Sequence, residues 1–287
     1  MANPSALTPG LYLVATPIGN LEDITLRALR VLKESDQIAC EDTRQTQKLL
    51  NHYGIATHTT SYHEHNEITR AAELVLDLEQ GSRIALVTDA GMPGISDPGF
   101  RLVSLAIRQH IPVVPIPGVS AFLAALVASG LPTDSFRFSG FLPAKRGERR
   151  TFLESVRESP RTQVVYEAPH RIDQALEDVV DILGAERQVV VAREVTKIHE
   201  EFLRGPAGGV LANFKARGEI KGEITLLIGK ADEATIRLSP PGGSNLRQRF
   251  EQLMNEDKLE EKAALKRIAR EMGVSKSEAY RELQRSK

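Results

Sequence analysis

Leu86-Val87-Thr88-Asp89-Ala90-Gly91-Met92-Pro93-Gly94-Ile95-Ser96-Asp97-Pro98-Gly99-Phe100 joins two kinds of sequence. Before it, Arg83–Val87 is a short apolar run of the kind that forms a buried strand. After it, from about Pro98, the residues Phe100, Leu102, Val103, Ala106 and Ile107 predict one apolar helix face. Between them, two Asp, two Pro and three Gly fall within Asp89–Gly99. A simple connection rarely needs so many special residues. The stretch reads as a stiff loop at the carboxyl end of a strand, where open α/β sheets bind their ligands. Glycine lets backbone approach a ligand closely, and proline fixes the loop's shape. Asp89 is placed to accept hydrogen bonds from hydroxyl or amino groups. Asp97 and Pro98 are expected to cap and start the next helix.

The same unit recurs on either side. Leu11–Thr16 is an apolar strand ending in Thr16-Pro17-Ile18-Gly19-Asn20. This loop has neither Gly-Lys-Ser/Thr nor Gly-x-Gly-x-x-Gly, which excludes a P-loop and a dinucleotide fingerprint. Asn20 or Asp23 is expected to cap a helix through Leu26, Leu29, Val31 and Leu32. The strand Gln37–Cys40 runs straight into Glu41-Asp42-Thr43-Arg44. Two acids, a hydroxyl and a guanidinium at a strand end suit substrate contact. Asp42 or Thr43 equally suits the N-cap of a helix through Leu49 and Leu50. Tyr62-His63-Glu64-His65-Asn66 carries a His-x-His pair but no clear third ligand, so it reads as polar surface and no metal is expected. A helix follows over Ile68–Gln80. The strand Ile111–Ile116 ends in Pro117-Gly118-Val119-Ser120-Ala121, and Ser120 is expected to cap the helix Ala121–Ser129. That helix is apolar on most faces and predicted to lie between layers. Strand and helix thus alternate, which defines α/β with a largely parallel sheet.

A second α/β series begins past Leu131-Pro132-Thr133-Asp134. It holds the strand Phe136–Ser139, the loop Gly140-Phe141-Leu142-Pro143 and a basic patch of Lys145, Arg146, Arg149 and Arg150. The strand Gln163–Tyr166 then leads into Glu167-Ala168-Pro169-His170-Arg171. Helix Ile172–Leu183 and strand Gln188–Ala192 precede the charged run Arg193-Glu194-Val195-Thr196-Lys197-Ile198-His199-Glu200-Glu201. Lys221-Gly222-Glu223 stands before a last strand, Ile224–Ile228. Ala231–Asn245 contains Ser-Pro-Pro-Gly-Gly-Ser and reads as a linker. Beyond it the chain is helical, with Gly273 as a turn and Ser275 as a cap, at helix-turn-helix spacing. We divide the chain into an N-terminal α/β domain (1–118), a C-terminal α/β domain (119–232), a linker (233–246) and a helical appendage (247–287).

Composition bounds what these elements do. The 287 residues are 41% apolar and 26% charged, values typical of a soluble globular protein, and the length calls for more than one domain. The net charge of −1 excludes nucleic-acid binding by overall charge, so any RNA-binding face is local, on Lys145–Arg150 or the C-terminal helices. A single cysteine, Cys40, excludes internal disulfides and suits a reducing cytoplasm. No apolar run approaches the roughly 20 residues of a membrane span, and Met1–Pro9 lacks the features of a signal peptide.

In this order, Thr16–Asn20, Glu41–Arg44, Asp89–Gly99, Pro117–Ala121, Tyr166–Arg171 and Arg193–Lys197 resemble the tetrapyrrole methylase superfamily. Glu41–Arg44 and Tyr166–Arg171 resemble its branch that methylates small-subunit ribosomal RNA. Met92-Pro93-Gly94 departs from the branch's Thr-Pro-Leu but keeps the loop's proline. The resemblance implies S-adenosylmethionine held in the cleft between two α/β domains. It implies 2′-O-methylation of a cytidine ribose in the decoding region of 16S rRNA, presented by the small ribosomal subunit, and a homodimer. The cofactor cleft would be formed by Pro17, Gly19, Asp89, Ala90, Gly91, Ile95, Ser96, Pro117, Gly118, Ser120 and Ala121, with Phe141 and Leu142 from the second domain. For the reaction, Glu41, Asp42 and Glu194 are candidate acceptors of the ribose proton. Arg44, Arg193 and Lys197 are candidates to hold phosphate or a forming oxyanion. Two other readings stay open: a methylase of a tetrapyrrole or other small molecule, and a non-catalytic cofactor-binding regulator.

Overall fold

The computed structural model describes residues 6–231, 253–254, 261–271, 280 and 283. One compact unit comprises the chain up to Glu154 together with Arg161–Gly229, and a second comprises Ser155–Pro160 and the chain from Lys230 onward. The first unit carries two five-stranded sheets. Among the described residues, no helix is long and apolar enough to cross a membrane.

The first sheet is built from β1 (Gly10–Val14), β2 (Gln37–Cys40), β3 (Thr59–Ser61), β4 (Arg83–Leu86) and β5 (Val113–Ile116). Its order is β3-β2-β4-β1-β5, and every pairing is parallel. Side chains alternate across a strand, and each side finds its own helices. Tyr12, Val14, Ile38 and Ala85 pack with Ala28, Val31, Leu32 and Leu50 from α1 (Leu26–Glu34) and α2 (Thr43–His52). Leu11, Ala39, Ile84 and Leu86 pack on the other face with Leu74, Leu78, Leu102 and Ala106 from α3 (Glu67–Glu79) and α4 (Phe100–Arg108).

The second sheet contains β6 (Phe136–Phe141), β7 (Thr162–Glu167), β8 (Gln188–Arg193), β9 (Glu201–Pro206) and β10 (Ile224–Ile228). Its order is β6-β7-β10-β8-β9. Only β6 and β7 run parallel, and β10 is antiparallel to both its neighbours. One face packs on α7 (Ile172–Leu183) and α8 (Ala207–Lys215) through Leu176, Val179, Val210 and Phe214. The other packs on α5 (Ala121–Ser129) through Ala125 and Leu126.

Several local expectations change. Asp97 does not cap α4: Gly99 is the N-cap residue, with no side-chain hydrogen bond. Phe100 and Ile107 are 79% and 58% exposed, because at 3.6 residues per turn they lie to one side of the Leu102–Ala106 face. Ser120 begins α5 without a capping bond. That helix is buried through Ala125, Leu126 and Ser129, with Phe122 packed beside them, while Val127 stays exposed. Asn20 caps only a short 3₁₀ turn, and the cap of α1 is Thr25, whose hydroxyl accepts from the Ala28 N–H at 3.1 Å. Thr25→Ala should lower stability by about 1 kcal/mol, a fall of about 2–4 °C in Tm for a unit of this size, read by thermal denaturation. β9 and α8 fall between the strands read from the sequence. The expected linker, the Gly273 turn and the Ser275 cap lie outside the described residues, which include a helix over Glu261–Glu271.

The basic patch is only partly a surface feature. Arg146, Arg149 and Arg150, on α6 (Arg146–Ser155), all donate to the carboxylate of Asp178 on α7. Asp178 and Arg149 are fully buried, and Lys145 pairs with Glu148 at 3.1 Å. Arg149 is thus part of the core, while Arg146 and Lys145 keep 67% and 82% of their side chains exposed.

Candidate active site

The strand order of the first sheet fixes where a ligand can sit. From β1 the chain turns through α1 toward β2; from β4 it turns through α4 toward β5, on the far side of β1. The loops after β1 and β4 therefore diverge, and a crevice opens at such a switch point. They are tied at one place. The Thr16 N–H donates to the Gly91 carbonyl at 2.9 Å, and the Gly91 N–H returns to Thr16 at 3.0 Å. Gly91 does so at φ +84°, a conformation that costs an L side chain energy.

Two cavities open at this edge. The first, of about 340 Å³, is lined from the β4 loop by Ala90, Gly91, Ile95, Ser96 and Asp97, and from the start of α5 by Ser120 and Ala121. Phe141 and Tyr166–Pro169 of the second sheet close it, with Val195 and Gly222–Thr225. The second cavity, of about 450 Å³, is lined by Pro17, Gly19, Asp89 and Ala90, with Gln45 and Lys48 of α2 and Glu223. Ile18, Ala90 and Glu223 belong to both walls.

Of the residues expected to form a cofactor cleft, ten line one cavity or the other, and Pro117, Gly118 and Leu142 line neither. Gly118 lies against β1: a Cβ there would stand 2.7 Å from that of Ala15. Leu142 points into the hydrophobic core with Leu153 and Val165, and its N–H donates to the Tyr166 carbonyl.

The charged candidates Glu41, Asp42, Arg44, Glu194 and Lys197 line neither cavity. Asp42 caps α2 through the Arg44 N–H, and the Arg44 guanidinium forks onto its carboxylate at 3.1 and 2.7 Å. Those bonds hold the Asp42 carboxyl down at about 2. Burial, reinforced by Asp89, pushes the Glu41 carboxyl above its ordinary range. Glu194 stands at φ +51° and Thr196 at φ +71°, so the loop after β8 is held in a conformation that side chains seldom adopt. There Lys197 Nζ reaches Glu194 at 2.8 Å and Glu223 at 3.1 Å, and the Glu223 N–H donates to the same Glu194 oxygen at 2.9 Å. Burial raises the Glu194 carboxyl, and its bonds from Lys197 and the Glu223 N–H more than reverse that.

The sequence reading passed over several lining residues. Asp97 was assigned to a helix cap. Tyr166–Pro169 served only as a motif, although they follow a strand as the other site loops do. Gly222 and Glu223 precede a strand; β10 is antiparallel to β7 and β8, with Ile224 opposite Glu167 and Arg193, so its beginning lies at the same edge as their ends. Glu167 is 2% exposed. One of its oxygens accepts from the Ala168 N–H and from Arg171, and the other, Oε2, has no hydrogen-bond partner among the described residues. Among the described residues, no group of three His, Cys, Asp or Glu could hold a metal ion.

The crevice lies between a parallel and a mixed sheet, at a switch point of the kind where α/β folds bind their ligands. A family model for tetrapyrrole (corrin/porphyrin) methylases matches residues 10–210, and the chain belongs to that family. Its curated relatives narrow the class. The chain is 56% identical over 218 residues to ribosomal RNA small subunit methyltransferase I of Halalkalibacterium halodurans, covering 76% of this chain and 75% of that one. It is 46% identical over 271 residues to the protein of that name from Synechocystis, covering 94% and 95%. Among solved structures it shares its fold with uroporphyrin-III-C-methyltransferase from Thermus thermophilus (TM-score 0.55, 21% identity, 80% of this chain and 96% of that one). It also shares it with a diphthine synthase (TM-score 0.60, 15% identity, 79% and 92%).

Proposed function

We propose that this protein is an S-adenosylmethionine-dependent methyltransferase that methylates the 2′-oxygen of a cytidine ribose in the decoding region of 16S rRNA. It acts on the small ribosomal subunit, in the cytoplasm, as a homodimer, and the 1–118, 119–232 and 247–287 segments serve as its domains. The observation that carries this reading is the 46% identity over 94% of the chain to a relative named for that RNA. At lower identity the fold is shared with a porphyrin methylase, so fold alone does not select the substrate.

The cavity at the crevice supports the choice of methyl donor. Its 340 Å³ falls within the usual range for small-ligand sites. Its wall combines close backbone at Gly91, small side chains at Ser120 and Ala121, and apolar ones at Ile18 and Ile95. The unpartnered Oε2 of Glu167 leaves an acceptor for a ligand's N–H. Ala90-Gly91, Ile95-Ser96, Ser120-Ala121 and Phe141 would hold the donor. S-adenosylmethionine supplies a methyl group on an already electrophilic carbon.

The chain's own contribution is then mainly alignment of the ribose oxygen, an effect that can reach roughly 7–11 kcal/mol. Arg44 points to solvent and is suited to phosphate; its side chain is 87% exposed. Lys197 adds a fixed positive charge beside Gly19. Of the carboxylates first considered as proton acceptors, Asp42 and Glu194 are held ionised by their partners and are poor bases. Glu41, raised by burial and by Asp89, is the better one. The target nucleotide has to be unpaired or splayed to reach such a crevice.

The test uses labelled S-adenosylmethionine with undermodified small ribosomal subunits, naked rRNA and a porphyrin precursor side by side. We expect label in the subunit's rRNA, recovered in an alkali-resistant dinucleotide. Label in the porphyrin alone would replace this reading with that of a small-molecule methylase. Donor binding without transfer to any substrate would point to a regulator.

A further inference from the structure

The first cavity carries an acid that neither the fold nor the ion pairs use. Asp97 lines it, is not the cap of α4, and has no hydrogen bond or ion pair assigned to it among the described residues. The other acids of that wall are committed: Glu167 to Arg171 at 2.7 Å, and Glu223 to Lys197 at 3.1 Å. Two more carboxylates are near enough to Asp97 to repel its charge, Glu41 after β2 and Asp89 after β4, and Asp97 in turn disfavours ionisation of the Tyr166 hydroxyl on β7. Near them the positive groups are spoken for. Arg44 is held by Asp42, and Lys197 by Glu194 and Glu223. His63 lies close enough to Glu41 to favour its charged form. Ser96 stands at φ +63°, an uncommon conformation for a side chain, in the turn that carries Asp97 to the cavity wall. On the same wall, the Oε2 of Glu167, a residue more than nine-tenths buried, has no hydrogen-bond partner among the described residues and is available to a ligand's N–H.

We propose that Asp97, backed by Glu41 and Asp89, is the counter-charge for the sulfonium of the methyl donor, so that this cavity grips the cationic donor and releases its neutral thioether product. The inference rests on the donor assigned above. Donor and product, S-adenosylmethionine and S-adenosylhomocysteine, share the nucleoside and the amino-acid tail and differ by one methyl group and one positive charge. A carboxylate against the sulfur separates them electrostatically, and a low-dielectric wall strengthens the effect. Burial, with Glu41 and Asp89 adding repulsion, pushes the Asp97 carboxyl up to about 7. The carboxylate is therefore neutral below that pH and charged above it, and an incoming cation favours the charged form.

The test is calorimetric binding of S-adenosylmethionine and S-adenosylhomocysteine to the full-length protein between pH 6 and 8.5, with no substrate RNA. The quantity read is the ratio of the two Kd values. Groups shared by the two ligands cancel in it. In the wild-type protein the preference for the donor should rise about tenfold across pH 7. In Asp97→Asn it should be smaller and flat with pH, and in Asp97→Glu it should recover part of its slope. Circular dichroism and Tm confirm that both variants fold; if Asp97→Asn does not, the slope in wild type and Asp97→Glu decides. A ratio independent of pH, or unchanged in Asp97→Asn, overturns the role of Asp97 while leaving the donor assignment intact. Binding of neither ligand to the wild-type protein overturns both.

Discussion

Asp178→Ala should lower the unfolding free energy by about 3–5 kcal/mol, the range for breaking one side of a buried ion pair. Asp178 has no exposed side-chain surface and Arg149 only 1%, and they meet at 2.7 Å. Arg146 and Arg150 reach the same carboxylate at 3.2 and 2.9 Å. Removing the acid leaves a buried guanidinium with no counter-charge and two partly exposed ones crowded beside it. Among the described residues, Arg149 already has one nitrogen, Nη1, without a hydrogen-bond partner, so it has little to fall back on. The check is a urea titration, with the midpoint moving and the slope unchanged. The pair variant Asp178→Leu with Arg149→Met should recover much of the loss, since apolar packing can replace a buried pair. A shift below about 1 kcal/mol for Asp178→Ala would mean that water or rearrangement reaches Arg149.

The same carboxylate gives the stability a pH dependence of known sign. Burial raises the Asp178 carboxyl, and the hydrogen bonds from Arg149, Arg150 and Arg146 more than reverse this, so it stays below the ordinary carboxylate range. A group lowered in the folded state stabilises fully above its ordinary pKa and less as pH falls through the folded one. Acid should therefore narrow the difference between wild type and Asp178→Ala below about pH 4.

The first sheet was legible because a buried parallel strand is a short apolar run followed by punctuation, and four of its five strands are of that kind. The exception, β3, is the three-residue edge strand Thr59–Ser61, half-buried and polar, and carries no apolar run. The second sheet was harder. β9, Glu201–Pro206, is a partly exposed edge strand with Glu, Arg, Gly and Pro among its six residues, which reads as loop. Most of the cavity-lining loops that follow strands were marked from the sequence, Tyr166–Pro169 after β7 being an exception. The site was missed at Gly222 and Glu223, because an antiparallel strand brings its beginning to an edge where parallel strands bring their ends. Asp97 was misassigned for a different reason. Asp-Pro before a helical run is a strong capping signal, and nothing local reveals that the helix begins later, at Gly99. The arginines of α6 were read as a surface patch because their partner, Asp178, lies 28 to 32 residues further on.

Lys197→Ala should slow methyl transfer to small subunits by about 10²–10³-fold, the usual effect of losing one preorganised charge that meets a forming oxyanion, the role proposed for it, while donor affinity changes little. The lysine is positioned from three directions. Burial works against its charge, and the hydrogen bonds to Glu194 and Glu223 outweigh that, so it stays a cation. Its stem lies on Gly19, where a Cβ would stand 2.2 Å from Lys197 Cγ. Glu194 in turn lies on Gly222, at φ +96°, where a Cβ would stand 2.5 Å from the Glu194 side chain. Two glycines thus clear the space for one ion pair, and the loop between its acid and its base holds two residues at positive φ, Glu194 and Thr196. Such geometry persists only when its surroundings over-determine it. Gly222→Ala should therefore displace Glu194, loosen Lys197 and move kcat in the same direction, with donor Kd measured alongside because Gly222 also lines the first cavity. Lys197→Arg keeps the charge but not the fit over Gly19, and should recover only part of the rate. If Lys197→Ala turned over at the wild-type rate while Gly222→Ala did not, the shape of this loop would matter to the reaction and the ammonium would not.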